Sequence, residues 1–220
     1  MLADIAQADE NDVVLLHGCC HNPTGADLSF EDWQALTALA QKQGFLPFID
    51  IAYQGFGEGM EADVAGFRYL AERVESYLIA SSCSKNFGLY RERTGLAVMV
   101  GKTLEQSNNI KTRLLECARS TYTMPPDHGA ALVDMILRDP ALKQTWLDEV
   151  DAMRSRVQGL REQLAGALRE KSGNPHFDFI AQHKGMFSVL GITPEHAQAL
   201  RQQHAVYLVD SGRINIAGMQ

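Results

Sequence analysis

The chain has 220 residues, 45% hydrophobic and 21% charged, an ordinary globular composition with room for one large domain or two small ones. A net charge of −7 argues against a nucleic-acid surface, and no apolar run approaches membrane-spanning length. The 4 cysteines, at 19, 20, 83 and 117, show no paired C-x-x-C spacing, which argues against a structural zinc site or a secreted disulfide framework.

The N-terminal stretch "MLADIAQADENDVVLLHG" lacks a basic start followed by a signal-like apolar core, so a reduced cytoplasmic setting is expected. "DVVLLHGCC" (12–20) is a short continuous apolar run, the pattern of a strand buried on both faces. "SFEDWQALTALAQKQG" (29–44) has helical spacing, with Trp33, Leu36, Leu39 and Ala40 on one face. Ser29 and Asp32 form a capping-box pair at its start, and Gly44 suits its end. "FLPFIDIAY" (45–53) reads as strand, "DVAGFRYLAERVES" (63–76) as helix, "YLIASS" (77–82) as strand and "GLAVMVG" (95–101) as strand. This alternation predicts an α/β layer with a mostly parallel sheet and flanking helices.

Past residue 102 the texture changes. "TLEQSNNIKTRLLECARS" and "HGAALVDMILRD" read as helices separated by a break at Pro125 and Pro126. Residues 140–172 predict one long helix, opened by Pro140 and closed by "SGNP". A mixed α+β tail follows, with a strand beginning at Arg213. The expected division is a large-domain part over 1–150 and an incomplete small domain over 151–220.

Ligands of open α/β sheets gather at the carboxyl ends of strands. Three such ends supply Asn22 with its neighbours His21 to Gly25, then Asp50 and Tyr53, then Ser82, Ser84 and Lys85; Arg93 precedes the following strand. A lysine in a dry, electropositive site becomes a usable amine and forms Schiff bases with carbonyls, including that of pyridoxal phosphate. That cofactor needs an acid at its pyridinium nitrogen, a donor at its phenolate oxygen and a cationic, hydroxyl-rich phosphate niche. The residues at these strand ends meet all three needs. Plainer roles are open to these residues and to two arginines farther along the chain: Asp50 as a cap, Asn22-Pro23 as a turn former, Arg119 as a charge at a helix end, Arg213 as half of a salt bridge. His17 and His21 stand four apart on a strand and its loop rather than on a helix face, a poor metal pair.

"HNPTG", "IDIAYQGF" and "SCSKNFGLYRERTG", in this order, resemble the aspartate and aromatic aminotransferases of the pyridoxal-phosphate-dependent aminotransferase superfamily, and "ARSTYTMPPDHGA" and "SGRINIAGM" extend the likeness along the chain. The resemblance implies that Lys85 bonds the cofactor aldehyde and shuttles the substrate α-proton. It implies that Asp50 pairs with the pyridine nitrogen, that Tyr53 and Asn22 bond the ring oxygen, and that Ser82 and Arg93, with Ser84 assisting, bind phosphate. Asn22 would also border the substrate, Arg213 would grip its α-carboxylate, and Arg119 would reach a distal carboxylate across a homodimer interface. It makes the bond before Pro23 cis. The substrates implied are an amino acid, aspartate or aromatic, and a 2-oxo acid such as 2-oxoglutarate. Members of that family are longer, so the chain is expected to be the C-terminal portion of such an enzyme. The rival expectations are a non-catalytic remnant without a complete cofactor site, the effector domain of a transcription regulator, and a different cofactor chemistry such as β-elimination.

Overall fold

Four short apolar stretches, each too short for a stable helix, pair edge to edge in the computed structural model, which describes residues 1–219. After a single helical turn, α1 (Leu2–Ile5), the elements run β1 (Val13–His17), α2 (Phe30–Gln43), β2 (Leu46–Ile51), α3 (Ala62–Ala71), β3 (Tyr77–Ser82) and β4 (Gly95–Val100). The sheet order is β1-β2-β3-β4. β1, β2 and β3 are parallel, with Leu16 opposite Ile49 and Ile49 opposite Ile79, and β4 runs antiparallel to β3.

α2 forms where its sequence caps it. The Ser29 side chain accepts from the Asp32 amide, Asp32 returns the bond to the Ser29 amide, and Gly44 closes the helix at φ 80°. Its apolar stripe of Trp33, Leu36 and Ala40 packs with α3's Leu70 against Leu16, Ile49 and Ile51. Burying a side chain such as Leu36, fully removed from solvent, contributes about 2–3 kcal/mol. α3 ends five residues earlier than the 63–76 pattern predicts, because Val74 turns back onto this core before β3 begins.

β1 departs from the expected strand buried on both faces. Val13 and Leu15 are 56% and 60% exposed, while Leu16 is 6% exposed. α2 and α3 cover only the Leu16–Ile49–Ile79 face. The opposite face, carrying Leu15 and Phe48 in register, is left without a helix of its own.

The second half is helical. α4 (Leu104–Thr121) buries no residue, α5 (His128–Arg138) follows, and α6 (Pro140–Ser172) occupies the predicted span, with the Asp139 side chain accepting from the Ala141 and Leu142 amides. Along α6 the packing partners change: Trp146 and Val150 meet the β-sheet unit, whereas Val157 and Ala165 join Ile180 and Ile216. α7 (Phe179–Gln182), β5 (Phe187–Val189), α8 (Pro194–His204) and β6 (Arg213–Asn215) complete the chain, β5 and β6 pairing antiparallel. No described helix is long and apolar enough to cross a membrane.

Candidate active site

The carboxyl ends of the three parallel strands form one edge, and the reversal of β4 brings its first residue, Gly95, opposite Ser82 on that edge. Asp50 is the penultimate residue of β2 and Ser82 the last of β3; Tyr53, Lys85, Arg93 and the His21–Gly25 turn lie just beyond. Asp50 falls on the same sheet face as Leu15 and Phe48, by the two-residue period of a strand. The Asn22–Pro23 bond is cis, as the resemblance implies.

The Lys85 ammonium sits 4.5 Å above the Tyr53 ring, a cation–π contact. Burial lowers its pKa, Asp50 opposes that shift, and Arg93 adds to it. Tyr53, 5% exposed, has its phenol pushed up by burial first of all, so it stays protonated at neutral pH; the Asn22 amide donates to its oxygen at 3.4 Å. The carboxylate of Asp50 has no hydrogen-bond or ion-pair partner among the described residues, while its carbonyl accepts from Gly18 at 2.8 Å. Ser82 Oγ accepts from the Ser84 amide at 3.1 Å, and Ser84 is buried.

Arg93 adopts φ 55°, a left-handed conformation that costs a non-glycine residue about 1–2 kcal/mol. Its one side-chain bond among the described residues is from Nη1 to the Tyr90 carbonyl at 2.9 Å, and the residue is exposed. Strain of this kind gathers where surrounding structure fixes a side chain for a task.

Two predicted residues stand apart. Arg213 opens β6, exposed, with its guanidinium 5.2 Å from the Phe187 ring centre and no carboxylate partner among the described residues. Arg119 is exposed in the last turn of α4, beside a surface cavity of about 750 Å³ bordered by Leu115, Met124 and Pro125. No described ion pair or hydrogen bond links either to Lys85.

A residue with no predicted role stabilises the lysine loop. Trp146 of α6 stacks on Phe87 at 4.3 Å and donates to the Asn86 carbonyl at 2.7 Å. Asn86 also donates to the Gln54 carbonyl, tying the loops after β2 and β3 together. The sequence signal was a lone aromatic early in the long helix.

Cys19, Cys20 and Asp63 offer ligand atoms within 4.8 Å of one another. The Asp63 carboxylate already accepts from the Gly55, Gly57 and Glu58 amides. A hydrogen bond with Cys19 and then burial raise the Cys20 thiol well above its ordinary value. A metal needs the thiolate, so this cluster reads as loop packing.

The site is thus an α/β sheet edge on which Lys85, without an ion-pair partner among the described residues and with its pKa lowered by burial, neighbours Asp50, Tyr53 and Arg93, a set of groups suited to carbonyl chemistry. The comparisons carry this further: the model of the aminotransferase class I and II family matches residues 1–220, and the chain belongs to that family. It is 48% identical over 219 residues to an aromatic-amino-acid aminotransferase of Paracoccus denitrificans, covering 56% of that protein. It is 44% identical over 217 residues to an aspartate aminotransferase of Salmonella typhi, covering 55%. The chain thus spans about half the length of the curated relatives it matches. A solved aromatic amino acid aminotransferase with 3-indolebutyric acid superposes on the whole chain at a TM-score of 0.97 with 48% identity, over 56% of its own length. A Burkholderia pseudomallei aromatic-amino-acid aminotransferase, covalently bound to pyridoxal phosphate, gives 0.95 at 36% identity over 55%.

Proposed function

We propose that this chain carries the lysine-bearing part of a pyridoxal-phosphate-dependent aminotransferase, exchanging amino and oxo groups between aspartate or an aromatic amino acid and a 2-oxo acid such as 2-oxoglutarate. One observation carries the reading: the Lys85 amine lies over the Tyr53 ring near Asp50 and Arg93, its pKa lowered, with no ion-pair partner among the described residues. The residues present fit the cofactor. Asp50 has an unpartnered carboxylate for a ring N–H, Tyr53 has a protonated phenol for a ring oxygen, and Arg93, Ser82 and Ser84 offer guanidinium and hydroxyl groups for phosphate.

When bound, the cofactor supplies an electron sink for the substrate's α-carbon electrons. Lys85 would hold the cofactor aldehyde, and its amine, once free, would take the proton from the substrate α-carbon and hand it on to the carbon that bore the aldehyde. A depressed pKa keeps more of that amine neutral at working pH. Asn22 and Tyr53 orient the ring, Arg213 pairs with the α-carboxylate in a bidentate bridge, and Arg119 reads a distal carboxylate. α4, without a buried residue, is the surface on which a second copy would pack, giving a homodimer. The free cysteines suit a reduced cytoplasm.

A non-catalytic remnant is the second reading, favoured by the exposure of Leu15 on the same sheet face as Asp50. Adding pyridoxal phosphate and recording visible absorbance separates the two. The enzyme reading expects a band that Lys85→Ala abolishes; a spectrum identical to free cofactor contradicts it.

A further inference from the structure

Arg161 is the largest side chain with no solvent exposure, although it is charged. It lies on the buried stripe of α6 with Val150, Val157 and Ala165. Burial pushes its pKa down to about 10, so it remains a cation at neutral pH. A buried cation is costly unless paired; Asp27 favours its charge from a distance, but no carboxylate among the described residues bonds it. Its partners are neutral oxygens: the carbonyls of Ile180 at 3.1 Å, Lys184 at 2.9 Å, Gly185 at 2.7 Å and Phe187 at 2.6 Å, and Ser188 Oγ at 2.8 Å. These gather the 184–188 segment, a loop running into the start of β5, around one guanidinium.

That loop is pressed against the turn that carries Asn22. A Cβ added to Gly25, at φ 76°, would fall 2.7 Å from the Phe187 carbonyl and 3.0 Å from Arg161 Nη2. The Lys184 amide donates to the Gly25 carbonyl at 2.7 Å, and His183 Nδ1 donates to the Thr24 carbonyl at 3.0 Å. On its other side the loop becomes β5. There Val189 pairs with Arg213, Phe187 lies under the Arg213 guanidinium, and the Ile216 amide bonds the Met186 carbonyl.

We propose that Arg161 is a positioning residue: from α6 it clamps the 184–188 loop onto the His21–Gly25 turn, and so sets Arg213 relative to Asn22. The substrate part of this inference rests on the aminotransferase reading; the clamp itself does not. A guanidinium suits the task because its planar fork serves five acceptors at once, which an ammonium with three donors cannot.

Amide hydrogen exchange on the full chain tests the clamp. Arg161→Lys should speed exchange at Lys184 and Ile216 about tenfold or more while Ile49 of β2 keeps its protection, and Ser188→Ala should do the same to a smaller degree. Unchanged exchange at Lys184 overturns the clamp. Should Arg161→Lys lose protection throughout β2, Ser188→Ala decides by the same criterion. In protein loaded with pyridoxal phosphate, Arg161→Lys should raise the KM for a dicarboxylic 2-oxo acid about tenfold and leave kcat within about twofold, the pattern of a lost binding geometry. An unchanged KM overturns the positioning role. Absence of any cofactor absorbance in the unaltered chain instead overturns the aminotransferase reading, and the exchange result still decides the clamp.

Discussion

Lys85 owes its chemistry to its neighbours rather than to its identity. Burial and Arg93 favour the neutral amine, while Asp50 favours the cation. Lys102 is the internal contrast: exposed, it pairs with Glu75, which raises its pKa. Competitive acylation across pH should therefore place the midpoint of Lys85 below the ordinary 10.5 and that of Lys102 above it. Equal midpoints would contradict the described environment. The sign for stability follows: with its folded pKa depressed, Lys85 costs stability while both states would be charged, and that cost fades as pH rises from the lowered value toward 10.5.

Elements explain how the lysine is held. Asp139 caps α6, and Trp146, two turns on, stacks on Phe87 and bonds the Asn86 carbonyl. Asp139→Ala should cost about 1 kcal/mol in denaturant unfolding, the usual loss of a cap. Trp146→Phe should cost about 1–3 kcal/mol, because it strands a buried carbonyl. A cost near zero for the second would remove Trp146 as the brace of the Lys85 loop. The bounds of α6 were legible because Pro140 marks its start and the SGNP stretch its end. So were the three strand ends, because small polar residues follow apolar runs. Arg161 and Trp146 were not read as functional: a charge or an aromatic on an apolar stripe shows its partners only once the 184–188 loop and the lysine loop are folded against it. The exposure of Leu15 was hidden for a related reason. An apolar run looks the same whether helices cover one face of its strand or both.

For the whole molecule, the two faces of the sheet should respond differently to substitution. Leu36 is fully buried between α2 and the sheet, and Leu36→Ala should cost about 2–5 kcal/mol. Leu15 is 60% exposed, and Leu15→Thr should change stability by no more than about 0.5 kcal/mol while reducing binding of an apolar dye. A large loss for Leu15→Thr would mean that the second face is covered in solution. The central claim is that one lysine on this sheet edge bonds a cofactor aldehyde. The most direct test is to incubate the chain with pyridoxal phosphate, reduce with borohydride and map the labelled peptide. The predicted result is a single phosphopyridoxyl group on Lys85, lost in Asp50→Ala or Arg93→Ala at limiting cofactor; a label spread over the exposed lysines, or found on another one, would contradict it.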